Sequence, residues 1–228
     1  MSVVVISSII GILSVMTLVT LVMASCQFVH VQIPDSQIND RDPQQRRYWL
    51  IISLNIIAIF GTYIGAVLLF SEFLIRTGSS HWYEFIVPVL LYDFTYYWAH
   101  RLMHHSKFLM RYLHGWHHLY RHPTAIDGLY QHPHEIVFGL SLLLCCVAVI
   151  GPVGIGAFVT VIFIHTLINT LDHANIKTGF KWLDYLIKSH DLHHSQRNVN
   201  FGFTPLWDYV FKTTPQARNR HDQLQSTV

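Results

Sequence analysis

The chain has 228 residues, 51% of them hydrophobic and 12% charged, about half the charged share of an ordinary soluble domain. Its 15 Lys and Arg against 13 Asp and Glu leave a formal charge of +2, too balanced to grip a phosphate backbone, so nucleic acid is excluded as a partner. Three cysteines, with Cys145 and Cys146 adjacent and Cys26 far away, make neither a disulfide scaffold nor a thiolate metal site.

Taken in order, Val3–Ala24 is 22 residues without a charge, enough to cross a hydrocarbon layer of about 30 Å. Met23-Ala24-Ser25-Cys26 faintly resembles a lipoprotein cleavage box, but no basic region precedes the apolar run, which reads as an anchor. A polar loop through Arg41, Asp42, Arg46 and Arg47 leads to a second uncharged run, Leu50–Phe70. After Ser79-Ser80 comes a third, Trp82–Ala99, carrying Glu84 and Asp93; an acid at membrane depth is a functional candidate because its burial demands a partner. Ile136–Ile150 and Gly156–Leu171, separated by Gly151-Pro152-Val153-Gly154, predict a helical hairpin whose arms of 15 and 16 residues reach about 22–24 Å. Threading these spans leaves Arg76 alone on one side and the other 14 Lys and Arg on the opposite, cytosolic side. The expectation is an all-α integral membrane protein: about three transmembrane helices plus a helical hairpin, with a cytosolic helical cap.

Histidine is the anomaly, because 14 of the 17 fall between His100 and His194, on the cytosolic side. His100 and His104 form HxxxH, while His114-Gly115-Trp116-His117-His118 and His190-Asp191-Leu192-His193-His194 are both HxxHH. On a helix the first and last histidine of HxxHH share a face, and the adjacent pair is splayed by about 100°, so neighbours can serve two metals at once. We expect a dinuclear, all-imidazole centre, for which Fe, Zn, Cu and Ni are all suitable. His132 and His173, each at the end of an apolar arm, join the ligand set. His165 is open between ligand, proton-network member and core histidine; His105, His122 and His134 are open too, and His30, His81 and His221 are ordinary polar positions. Asp93, two helical turns before His100, is expected to orient a ligand imidazole by accepting its N–H, the alternative being a pairing with Arg101 or a tyrosine hydroxyl. Asp172 and Asp191 are weaker candidates for the same role. Trp98, Trp116, Tyr96, Tyr97 and Phe94 could line an entry for a lipid, or form an interfacial belt. A metal transporter would place its ligands in mid-span, and a zinc hydrolase would show HExxH, which is absent.

The series HRLMH, HGWHH, a His-Pro-x-Glu element, lone His173 and HDLHH resembles the membrane-bound fatty acid hydroxylase / sterol desaturase superfamily. The closing stretch Asn200-Phe201-Gly202-Phe203, Leu206-Trp207-Asp208 and Phe211-Lys212-Thr213 is similar to that family's tail, so the likeness runs from Tyr92 to Thr214. HHLYRHPTAIDGLYQHPHE and SHDLHH look most like the sphinganine C4-hydroxylase branch, whereas His173-Ala174-Asn175 departs from the His-Ser-Gly or His-Cys-Gly of many relatives. The resemblance falls within 82–214, expected as the catalytic unit, with residues 1–81 expected as an N-terminal transmembrane region and 215–228 as a polar tail. It implies two Fe ions, replaceable by Zn in purified material, held by His100, His104, His114, His117, His118, His132, His173, His190, His193 and His194, with O2 as co-substrate. The reaction implied is hydroxylation of a sphingoid, fatty acyl or sterol lipid, with desaturation as the alternative outcome. No flavin or nicotinamide fingerprint is present, so electrons come from an external cytochrome b5-like or ferredoxin donor on the basic surface around Lys107, Arg111, Lys181 and Lys188. The endoplasmic reticulum and the bacterial inner membrane both suit such a chain.

Overall fold

The computed structural model describes residues 45–218 together with Val3, Ile6, Ser7, Ile10, Gly11 and Ser14, which are helical. The rest of the span expected over Val3–Ala24 lies outside the described residues, as do Cys26, His30 and His221. Six helices organise the described chain: α1 Gln45–Leu74, α2 Tyr83–His105, α3 Pro133–Ile150, α4 Ile155–Asp172, α5 Lys181–Gln196 and α6 Leu206–Val210.

Three of these are long and apolar enough to cross a membrane: α1 from Arg47 to Leu74, α3 and α4. The hairpin arms α3 and α4 are 18 residues each, about 27 Å, and so longer than their uncharged cores suggested. Pro133 sits in the first turn, where its missing N–H breaks no helical bond, and Gly151 at φ +103 ends α3. The third expected span is a helix, α2, but it is not among the three. It carries Glu84, Asp93, Arg101 and three histidines, and it turns Tyr92, Asp93, Tyr97 and His100 into the protein.

Helix α3 packs on α1 and α2, and α4 packs on α2 and α5. Their shared core includes Tyr63, Val67, Tyr92, Leu143, Val147, Phe158 and Ile162. Ile57, Leu68, Leu69, Phe73 and Val149 point outward, each at least 62% exposed, an apolar surface suited to lipid as its solvent. At the end away from the histidines, two short strands pair in parallel, β1 Ile75–Arg76 and β2 Val153–Gly154. Glu84 closes that end, accepting from Arg76 Nη2 (2.6 Å), Gly154 N (3.0 Å) and His81 N (3.1 Å). It is thereby satisfied as a structural knot, with Arg76 as its ion-pair partner.

Candidate metal centre

Ser106 adopts an extended conformation and stops α2, and its Oγ caps the turn Lys107–Leu109 by accepting from Leu109 N at 3.3 Å. The chain then widens into a π turn, Met110–His114, followed by a 3-10 turn, His117–Leu119. The HGWHH box is therefore not an α-helix. Gly115 permits the wide turn, since a Cβ there would lie 2.5 Å from the Met110 carbonyl oxygen. The HDLHH box is regular helix within α5.

Nine of the ten expected ligand histidines assemble into two groups. His100, His104, His114, His118 and His193 form one; His117, His173, His190 and His194 form the other. Within each group the ring nitrogens all lie within 4.8 Å of one another. Each HxxHH box splits as its spacing predicts: His114 and His118 enter the first group and His117 the second, while His190 and His194 enter the second and His193 the first. The groups abut, with the His118 and His194 rings 4.6 Å apart between centroids.

The tips of the rings converge. In the first group His114 Nε2 faces the Nε2 atoms of His100, His104 and His118 at 2.9, 3.0 and 3.0 Å, and His118 faces His193 at 3.1 Å. In the second, His117 to His173, His173 to His190 and His190 to His194 measure 3.2, 3.0 and 3.1 Å. Hydrogen bonding cannot account for this. A neutral imidazole has one N–H, and with that of His114 assigned to Nδ1, which faces Glu135 Oε1 at 2.5 Å, the other nitrogen carries no proton. Its Nε2 then presents a lone pair toward three other ring tips. Two nitrogens bound at right angles to one ion, about 2.1 Å from it, stand about 3.0 Å apart, so a shared cation fits both groups.

Besides His114, four more of the nine rings are fixed to the scaffold at their other ends, while Nδ1 of His117 and of His118 is buried without a partner among the described residues. Nδ1–H of His100, His173, His193 and His194 donates to the carbonyls of Phe201 (2.8 Å), Asn169 (2.8 Å), Val199 (2.7 Å) and Tyr120 (3.1 Å). These bonds select the tautomer with the lone pair on Nε2. Burial, only partly opposed by these carbonyls, pushes His100 and His173 down to about 4, so both rings are neutral and open to a metal at pH 7.

Asp93 does not touch an imidazole. Its oxygens accept from Thr204 N (2.9 Å) and Thr204 Oγ1 (2.5 Å), neither Arg101 nor a tyrosine being involved. Asp208 holds the preceding residues, accepting from Phe201 N (2.7 Å), Gly202 N (2.8 Å) and Thr213 Oγ1 (2.6 Å). Together the two acids set the loop whose Val199 and Phe201 carbonyls hold His193 and His100. The carboxylate that meets a ring of the two groups is Glu135, the acid of the His-Pro-x-Glu element at the head of an apolar run. His132 stands outside both groups, stacked on Trp116 at 3.6 Å. His122 pairs with Asp191 at 3.0 Å, and His105 and His134 are exposed. Gly128 lies against the second group, because a Cβ there would sit 2.7 Å from the His173 ring.

A cleft of about 70 Å³ runs among α1 to α4. Ile59, Phe138 and Leu140 line its apolar part, and Tyr92, Tyr96, His165, Asn169 and Glu135 its polar part. Of the five aromatics considered for an entry only Tyr96 lines it; Phe94, Tyr97 and Trp98 pack against Trp207 and Phe211 of the tail.

A family model described as fatty acid hydroxylase matches residues 85–213, more than half of the chain. A very-long-chain aldehyde decarbonylase of Oryza sativa subsp. indica is 29% identical over 61% of this chain and 56% of its own length. A sphingolipid C4-hydroxylase of Schizosaccharomyces pombe is 30% identical over 63% and 55%, and a methylsterol monooxygenase of Arabidopsis thaliana 29% over 58% and 54%. The match thus spans little more than half the length of these curated relatives. No solved structure matches the chain.

Proposed function

The chain belongs to the fatty acid hydroxylase family, and from that premise we propose that it is an integral membrane oxidoreductase that hydroxylates a lipid at an unactivated C–H bond, using O2. The observation that carries this reading is the pair of abutting histidine groups with converging Nε2 atoms. His100, His104, His114, His118 and His193 would hold one ion and His117, His173, His190 and His194 the other. Bound iron would supply the redox chemistry that activates O2 and breaks the C–H bond.

The remaining work falls to the protein. Glu135 and the carbonyls of Phe201, Asn169, Val199 and Tyr120 keep the rings pointed at the two ions. The cleft admits an apolar chain from the lipid-facing side: Phe138 at its edge is 40% exposed, and Glu135 and Asn169 at its inner end contact His114 and His173. Its narrowness holds one substrate carbon near the groups and keeps bulk water away. Electrons enter from a cytochrome b5-like or ferredoxin donor at Lys107, Arg111, Lys181 and Lys188, all exposed, with residues 82–214 as the catalytic unit on the cytosolic face. The names of the relatives point to sphingolipid, methylsterol and very-long-chain aldehyde substrates.

The test is an untargeted lipid comparison of cells expressing the wild type or His193→Ala under 18O2. The reading expects an 18O-labelled lipid that requires His193; an equal product set in both cells contradicts it.

A further inference from the structure

We propose that His165 reads the substrate, hydrogen-bonding a neutral hydroxyl or carbonyl oxygen of the lipid and so setting which carbon lies beside the histidine groups. The inference rests on the lipid-oxidation reading and adds to it the class of group recognised.

His165 is 7% exposed, lines the cleft and belongs to neither histidine group. Neither of its ring nitrogens bonds any described residue, and Nδ1 is buried without a partner. Buried polar atoms are nearly always paired, so an unpaired one on a cleft wall marks a place where a ligand supplies the partner. The ring's orientation does not depend on its nitrogens. It lies parallel to Phe203 (5.2 Å, 12°) and meets the edge of Tyr92 (4.9 Å, 80°).

The cleft walls set the distance. On α2, Tyr92, Tyr96 and His100 follow one another at i, i+4 and i+8; His165 and Asn169 on α4 and His173, which caps it, do the same. Both helices run toward the histidine end, and Tyr92 meets His165 at the outer rung, with Tyr96 and Asn169 lining the same cleft one turn further in. His165 therefore stands two turns, about 12 Å, before the level of the metal-binding rings. A polar oxygen anchored there fixes how far along the chain the reacting carbon lies. The anchored group is neutral, because among the described residues no Lys or Arg lines the cleft. An anionic head would find no counter-charge there.

The test uses the full chain, metal-loaded, in lipid nanodiscs, with tritiated hexadecan-1-ol, hexadecane and hexadecanoate as binding probes. Wild type should hold hexadecan-1-ol about tenfold more tightly than hexadecane, as one hydrogen bond allows, and hexadecanoate no better than hexadecane. His165→Phe keeps the stack on Phe203 and should bring the alcohol within about twofold of the alkane, whereas His165→Gln, which still bonds, should keep most of the preference. Metal per chain should be the same in all three proteins. No alcohol preference in wild type, a preference that survives in His165→Phe, or a loss of metal in that variant would each overturn the inference. Absence of metal from the wild type would instead overturn the oxidoreductase reading.

Discussion

At the scale of single residues, the site is a set of rings whose two nitrogens have separate duties. Glu135 holds His114, the ring tip that faces three others. Glu135→Ala should weaken metal retention about 10- to 100-fold, as loss of such partners does elsewhere, with Glu135→Gln nearer to wild type; chelator competition measures it, and unchanged retention would contradict the role. Gly128→Ala probes the second group alone. The added methyl pushes on His173, so elemental analysis should show about one ion lost per chain and the other kept, whereas full occupancy would show that His173 is not needed. Acid acts on the metal-free rings directly. The unfolded chain protonates His near 6.5 and the folded one protonates His100 and His173 only near 4, so the unfolded state binds more protons in between. Stability of the chelated protein should be fully present above about 6.5 and fall as the pH drops from there toward 4, read as the thermal midpoint across that window. A flat profile would show these rings already solvated.

Elements differed in how plainly the sequence announced them. Leu50–Phe70 and the hairpin arms were legible because an uncharged run is itself the signal. Helix α3 begins earlier than its run, since His134 and Glu135 interrupt apolarity without interrupting the helix. The histidines of the two groups were legible through spacing, above all the splayed neighbours His117/His118 and His193/His194. His132 was misplaced because position at the end of an arm does not say which way a ring turns; it stacks on Trp116 instead. The π turn at Met110–His114 has no periodicity to read, and only Gly115 hints at it. Asp93 was read along its own helix, but its partner Thr204 is 111 residues away, a contact that helical spacing does not contain. The loop it helps to hold gives a test at this scale. Asp208→Ala strands two backbone N–H groups and a hydroxyl, an expected loss of about 2 kcal/mol and on the order of 5 °C in Tm. Metal binding should suffer with it, because the Phe201 carbonyl loses its register; a Tm within about 1 °C of wild type would show the clamp to be dispensable.

For the whole molecule the organising fact is charge. Nine neutral imidazoles contribute none, while Asp93, Asp127, Glu135, Asp172, Asp191 and Asp208 are all 8% exposed or less in the histidine half. Such a shell of buried acids is costly by itself and becomes complementary once cations sit among the rings. The outer face of α1, α3 and α4 is apolar and suits a membrane rather than water as its surroundings. The central claim is therefore that the two histidine groups hold two ions, and the most direct measurement is metal per chain by elemental mass spectrometry on detergent-purified protein, alongside His117→Ala/His193→Ala, which removes one ring from each group. The account predicts about two ions per chain in the wild type and near none in the double variant. A freshly prepared, folded wild type without bound metal, or a double variant that keeps both ions, would contradict it.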